Sequence, residues 1–270
     1  MSEHNSVNEE IRAQREKLKG QGFKAKWEYF WEYYKIHTIV AIVVVIFLVS
    51  LINQIANKKP YALYAMYINC LGTMDTQTSL QNGFYEYLGK DRSQEEVVID
   101  TASTFNSTNL DTSAVATSEK IMAFSAASDL DVVMSDPATF FHFAGQDFFQ
   151  DLRDIFSPDE LENFGDNVFY IDRRYIEYID SDEYDDYILT HEYDNSNKYA
   201  VMAAEFDETG VYTALSADEM EDPIPVGIIL DNSSALKESG VYYENPPVAG
   251  IVVNTARNDN AKMFIEYMAQ

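Results

Sequence analysis

The sequence predicts an α/β domain that is attached to a membrane by an N-terminal transmembrane helix. Three observations support this: an uncharged apolar run near the N-terminus, a change of charge after it, and alternating strand and helix patterns beyond. Residues 1–57 carry seven Lys or Arg and six Glu, net +1. Residues 58–270 carry 12 Lys or Arg and 39 Asp or Glu, net −27. A chain that changes charge this sharply is expected to have two parts in different surroundings.

Composition excludes several classes of protein. The whole chain of 270 residues has a net charge of −26. This charge argues against a general nucleic-acid binder, because phosphate contacts need clustered cations. Cys70 is the one cysteine of the sequence, which excludes an intramolecular disulfide framework and a site built from several cysteines. We expect no cofactor and no metal.

The apolar run defines the predicted membrane segment. Residues 38–52 contain no charge, proline or glycine, and with their flanks they extend to residues 36–56. About 20 helical residues cross roughly 30 Å of hydrocarbon. A cleaved signal peptide is the main alternative, but 37 residues precede the run and no convincing small-residue cleavage site follows it.

The preceding segment, residues 1–35, is basic and aromatic, and we predict that it is cytoplasmic. Six aromatic residues stand just before the span, where amphipathic rings favour the headgroup zone: Trp27, Tyr29, Phe30, Trp31, Tyr33 and Tyr34. Five lysines precede the span and two follow it: Lys17, Lys19, Lys24, Lys26 and Lys35, then Lys58 and Lys59. This bias predicts a single-pass protein of the cell membrane, with residues 58–270 extracytoplasmic. A helix is expected over residues 8–35 with an interruption at 20–22. It either lies on the anionic inner leaflet or acts only as a charged topology anchor.

Strand and helix patterns alternate through residues 58–270. Strand patterns fall at 61–69, 96–101, 130–135, 199–204, 225–230 and 248–254. Helix patterns fall at 76–88 with Gly89 as the stop, from Ser118 to about 128, after Asp136-Pro137, and at 259–268. Such alternation predicts a mostly parallel sheet covered on both faces.

Three blocks carry a family resemblance. Residues 119–136 run from a helix through a short turn into Asp-Leu-Asp-Val-Val, residues 148–161 contain Asp-Leu-Arg-Asp after Gly145, and residues 248–268 join a late strand to a helix. In this order they resemble the type II periplasmic, or extracellular, solute-binding proteins. The resemblance implies a two-lobed fold in which a small solute is captured in a cleft between the lobes, with a membrane permease as an expected partner.

Polar residues at the ends of the predicted strands are the candidate ligand-binding groups, because ligands of open α/β sheets bind outside the carboxyl ends of strands. These candidates are Asn69, Thr73, Ser135, Asp136, Asp231, Asn232 and Asn254. Each is also a common helix cap or turn residue, and that simpler role stays open for all of them.

The patterns do not indicate an enzyme. His142 stands between phenylalanines, as a packed histidine would, and Cys70 has no nearby base in the sequence. The acidic run at residues 180–186 lacks the glycine of an EF-hand loop. The alternative to solute capture is a scaffold or sensor ectodomain that binds another protein.

Overall fold

A computed structural model describes residue 12 and residues 22–57, 59–90, 92–109, 111–242 and 245–270. The chain divides into two units, Met1–Lys58 and Lys59–Gln270. In the first unit, helix α1 spans Phe23–Ala56. Its part from Tyr34 to Ala56 is long and apolar enough to cross a membrane, a test that a signal sequence also passes. Apart from residues 12 and 22, the helix and interruption predicted over residues 8–22 lie outside the described residues.

The second unit contains six strands and nine α-helices among its described residues. The strands are β1 Tyr61–Ile68, β2 Glu96–Ser103, β3 Val132–Ser135, β4 Val168–Asp172, β5 Pro223–Ile229 and β6 Val248–Ile251. The helices are α2 Met74–Leu88, α3 Thr112–Ala126, α4 Pro137–Gly145, α5 Pro158–Phe164, α6 Arg173–Ile179, α7 Asp182–Thr190, α8 Lys198–Thr209, α9 Ser234–Ser239 and α10 Asn258–Met268.

The strands form one mixed sheet in the order β2-β1-β3-β6-β5-β4. β1 pairs in parallel with β2 and β3, whereas the pairs β3–β6, β6–β5 and β5–β4 are antiparallel. The prediction of a mostly parallel sheet was therefore wrong. A parallel connection must carry the chain back along the whole strand. The six-residue helix α9 between β5 and β6 does not do so, and β6 returns in the opposite direction.

The described residues of the second unit form this one sheet and no other. The two lobes of the expected fold stay a prediction. Residues 173–209 form α6, α7 and α8. The strand predicted at 199–204 is part of α8. Ala200, Ala203 and Phe206 are buried on one face of this helix, and alanine is the strongest helix former.

Most other local predictions are confirmed. Thr73 caps the N-terminus of α2, and Gly89 ends this helix with a φ of 63°. Asp136 caps α4, and Pro137 occupies its first turn. The helix predicted to start at Ser118 begins earlier, because the side chain of Asp111 accepts a hydrogen bond from Ala114 N and caps α3 there.

The core has two layers, one on each face of the sheet. From Leu63 to Ile68 along β1, alternate side chains enter different layers, as the twofold period of a strand requires. The layer that contains Met66 is covered mainly by α3, α4, α6 and α8. The layer that contains Tyr67 is covered mainly by α2, α9 and α10. This arrangement buries β1 almost completely.

Candidate functional site

The strand directions decide which predicted site residues share an edge of the sheet. β1, β3 and β5 point the same way, because β5 and β3 are each antiparallel to β6. Residues that follow these three strands therefore stand at one edge, and Asn69 and Asp136 are brought together there. Asn254 follows β6 and stands at the opposite edge, where its Nδ2 lies 3.4 Å from Ser125 Oγ.

Asn69 uses its side chain to join the ends of β1 and β3. It has a φ of 58°, a conformation that asparagine tolerates better than most residues. Its Nδ2 donates to Asp136 Oδ2 at 2.9 Å, to Thr139 Oγ1 at 3.0 Å and to the Phe105 carbonyl at 2.9 Å. Its Oδ1 accepts from Phe105 N at 2.8 Å. The side-chain amide of Asn69 therefore makes its hydrogen bonds to other groups of the protein.

The neighbouring strand-end groups are also engaged internally. Thr73 forms a capping box with Thr76 at the start of α2. Ser135 is buried, and its Oγ donates to the Asp136 carbonyl at 3.1 Å. The hydroxyl of Tyr242 lies 2.9 Å from the Ile68 carbonyl and 3.1 Å from the Met134 carbonyl. These contacts use the polar groups at the ends of β1 and β3 within the protein, and they favour the capping role for the residues there.

Asp231 and Asn232 are exposed to solvent. Asp231 Oδ1 accepts from Asn167 Nδ2 at 3.1 Å and from Asn232 Nδ2 at 2.9 Å. Both residues line a cavity of about 80 Å³, and Asp231 also lines one of about 250 Å³ near Pro246 and Pro247. Of the seven candidate ligand-binding residues, these two line a cavity described here. A role in ligand binding stays a prediction for all seven.

An aromatic cavity of about 310 Å³ lies between α8 and residues 211–219. We call it the α8 cavity. One stripe of α8 lines it at helical spacing, and the following segment and α4 complete the wall. Its lining residues are Phe141, Lys198, Tyr199, Val201, Met202, Glu205, Phe206, Val211, Tyr212, Thr213, Leu215 and Glu219.

Ring contacts hold the wall of the α8 cavity in shape. Phe141 of α4 packs against Tyr212 with ring centroids 4.6 Å apart and meets Phe206 edge-on at 5.0 Å. Tyr212 also contacts Phe169 of β4 at 5.3 Å. Burial raises the pKa of Tyr212 to about 12. These rings are anchored in the core, so the cavity is preformed and largely apolar, as ligand pockets commonly are.

Charged and hydroxyl groups also lie at this cavity, among them those of Lys198, Tyr199, Glu205 and Glu219. Lys198 Nζ is 2.9 Å from Glu221 Oε1 and stands over the Tyr199 ring. Burial and a hydrogen bond to Asp172 raise the pKa of the Tyr199 hydroxyl to about 12, so it stays protonated. Hydrogen bonds from Ser216 lower the pKa of Glu219. The Glu205 carboxylate has no hydrogen-bond or ion-pair partner among the described residues.

The α8 cavity was not predicted from the sequence. The strand predicted at residues 199–204 hid the stripe formed by Lys198, Val201, Met202 and Glu205, whose spacing of three and four residues is helical. Of the tyrosines concentrated between residues 170 and 199, Tyr199 lines the cavity and the others do not, so this concentration gave no signal for it. Tyr212, however, reaches the cavity only through the tertiary fold.

The groups considered for catalysis are placed as structural residues. His142 packs against Phe105 with ring centroids 5.0 Å apart, and burial lowers its pKa to about 4, so the ring is uncharged at neutral pH. Burial raises the pKa of the Cys70 thiol. The acidic run at 180–186 forms the start of α7, capped by Ser181. No cluster of three His, Cys, Asp or Glu in the described part of the chain is arranged to hold a metal.

No model of a known protein family matches this chain, and no curated protein sequence matches it. Two solved structures are similar to it. The FutA (IdiA) protein of Trichodesmium, in complex with iron and citrate, is 16% identical, with 77% of this chain and 81% of that chain covered and a TM-score of 0.32. The periplasmic binding protein P5PA is 12% identical, with 77% and 80% covered and a TM-score of 0.32. At these scores, the fold rests on the topology described above rather than on either likeness.

Proposed function

We propose that this protein is anchored in the cell membrane by α1 and captures a small solute with its extracytoplasmic domain, for delivery to a permease. The observation that carries the proposal is the α8 cavity, a preformed space of about 310 Å³ with aromatic walls. Its volume falls at the lower end of the range typical of small-molecule sites. No group of His, Cys, Asp and Glu arranged to hold a metal lies among the described residues, and we propose binding without catalysis.

The membrane anchor rests on the exposed apolar surface of α1. Side chains all around this helix from Ile36 to Ile55 are exposed, as a helix in contact with lipid would require. Trp27 and Trp31 are exposed one turn apart at its N-terminal end, where tryptophan favours a membrane interface. The lysine bias of the sequence supports a cytoplasmic N-terminus.

We expect the intact chain to remain in the membrane fraction after alkaline extraction and to enter solution only with detergent. Protease added to whole cells should digest residues 59–270 and leave the segment before α1 protected. Mass spectrometry of the extracted protein should find residues 1–57 still attached. Release without detergent, a missing N-terminus or a protected C-terminal half would each contradict the anchor.

Solute capture predicts that ligands stabilise the folded domain. We expect at least one compound from a panel of amino acids, peptides, sugars, amines and organic acids to raise the unfolding temperature of the full-length protein in lipid nanodiscs. A ligand at 100 times its Kd adds about 2.7 kcal/mol to the free energy of unfolding. Nanodiscs avoid detergent, which an apolar cavity could bind.

A matched pair of variants locates the binding site. Val201→Trp places a large ring in the α8 cavity and should abolish the ligand-induced rise. Glu208→Trp places the same ring on the exposed side of the same helix and should retain it. A flat response to the whole panel, or equal responses of the two variants, would contradict capture in this cavity.

A specific observation also favours the second candidate function, a scaffold or sensor ectodomain. Leu71 and Met74, which follow β1 along the chain, are 66% and 84% exposed. Exposed apolar side chains of this kind can contribute to a protein interface. If the panel leaves the unfolding temperature unchanged, this candidate becomes the preferred one.

A further inference from the structure

We propose that the α8 cavity selects an organic cation, a molecule with an apolar aromatic or aliphatic body and one ammonium group. This inference rests on the proposed function, because it names the class of solute that the same cavity takes. Three features carry it: the charge balance of the lining, the aromatic faces and the unpartnered carboxylate of Glu205.

The charges at the cavity favour a positive ligand. Lys198, Glu205 and Glu219 are the charged residues of the lining. Lys198 is already paired with Glu221, which lies outside the lining. The two glutamates therefore leave the cavity with a net negative charge. An anionic ligand would have to displace the Glu221 contact to use Lys198, and it would face both carboxylates.

The two glutamates are not equivalent. Glu219 accepts hydrogen bonds from Ser216 N at 2.9 Å and from Ser216 Oγ at 2.6 Å, contacts that hold its carboxylate at the start of a short 3₁₀ turn. Glu205 stands one helical turn after Val201 and Met202 and is exposed at the cavity. Among the described residues no group donates to its carboxylate, so only water has to be displaced from it. Glu205 is therefore the group that is free to pair with a ligand ammonium.

Aromatic faces strengthen the preference for a cation. Phe206 and Tyr212 line the cavity wall, and a cation that reaches the face of such a ring gains attraction from the ring quadrupole. Lys198 already shows this geometry, with Nζ 4.7 Å from the centroid of Tyr199. Val201 and Met202 supply apolar surface for the body of the ligand.

Three ligands of similar size and different charge test the proposal. The 3-phenylpropylammonium ion is the cation, 3-phenylpropanol is its neutral counterpart and 3-phenylpropanoate is the anion. With the full-length protein in nanodiscs, titration calorimetry should find the cation bound at least about tenfold more tightly than the alcohol, a preference that salt weakens by screening. The anion should bind most weakly.

Glu205→Gln should bring the affinities for the cation and the alcohol close together, because it removes the charge and keeps the shape of the side chain. The control is Glu208→Gln, a matched change at an exposed position of α8 outside the lining, which should keep the preference. Equal binding of cation and alcohol to the unchanged protein would overturn the proposal, as would tightest binding of the anion or no binding of the cation. Solute capture itself would still stand if another compound of the broader panel binds and Val201→Trp abolishes that binding, so the two failures are distinguishable.

Discussion

Replacing Arg257 with alanine is expected to lower the free energy of unfolding by about 3 to 5 kcal/mol, because it leaves a buried carboxylate without its counter-charge. The side chain of Asp131 is 0% exposed, and Arg257 Nε donates to both of its oxygens at 2.9 and 3.1 Å. Arg257 Nη2 also donates to the carbonyls of Ser128 and Asp129 at 3.1 and 2.9 Å. The substitution therefore breaks a buried network and also leaves two carbonyls without their donor.

This ion pair joins distant parts of the chain. Asp131 precedes β3 and also accepts from Tyr64 N in β1 at 2.7 Å, whereas Arg257 is the residue before α10. Urea unfolding followed by circular dichroism measures the change, since both tryptophans of the sequence lie in α1 and this domain contains none. Adding Asp131→Asn to the Arg257→Ala variant should recover part of the loss, because it removes the buried charge and keeps an acceptor for Tyr64 N.

The matched control is an exposed ion pair of similar chemistry. Arg174 and Glu177 are each 52% exposed, with 2.7 Å between Arg174 Nη1 and Glu177 Oε2. Arg174→Ala should lower the free energy of unfolding by less than about 1 kcal/mol, since water solvates the exposed Glu177 carboxylate when its partner is removed. Equal losses for Arg257→Ala and Arg174→Ala would show that the buried carboxylate does not need its partner.

The second large effect is expected at Phe140. Phe140→Ala should lower the free energy of unfolding by about 3 to 5 kcal/mol, because it opens a cavity in the core. The ring of Phe140 is 0% exposed and stacks on Phe149, with centroids 4.3 Å apart and 7° between the planes. It also meets Phe169 edge-on at 5.0 Å. Met122→Ala, at a position 70% exposed on α3, should change stability by no more than about 0.5 kcal/mol.

Two glycines explain how Phe140 fits onto the sheet. A Cβ at Gly227 would lie 2.6 Å from Phe140 Cζ, and one at Gly250 would lie 2.8 Å from Phe140 Cε2. Gly227→Ala should therefore lower the free energy of unfolding by about 1 to 3 kcal/mol through overpacking. The double variant Phe140→Ala, Gly227→Ala should lose less than the sum of the single losses, because removing the Phe140 ring relieves the nearest contact of the added methyl group. Additive losses would contradict this packing.

The caps and helices with strong local signals could be predicted from the sequence. Thr73, Gly89 and the Asp136-Pro137 pair act within a turn of their own helix, so a short stretch of residues carries the information. The apolar run within α1 is equally local, since its length and its lack of charge are properties of one continuous segment. The missed helix α8 shows the limit: an alanine-rich buried face also satisfied the pattern expected of a strand.

Only the tertiary structure decided three features. These are the direction of β6, the hydrogen bond between Asn69 and Asp136, and the α8 cavity. Each depends on residues far apart in the chain: Asn69 and Asp136 are 67 positions apart, and the cavity joins α4 with α8 and the segment after it. Pattern and propensity describe how a segment interacts with its neighbours along the chain. Which strands pair, and which side chains then enclose a space, follows from packing the whole core at once.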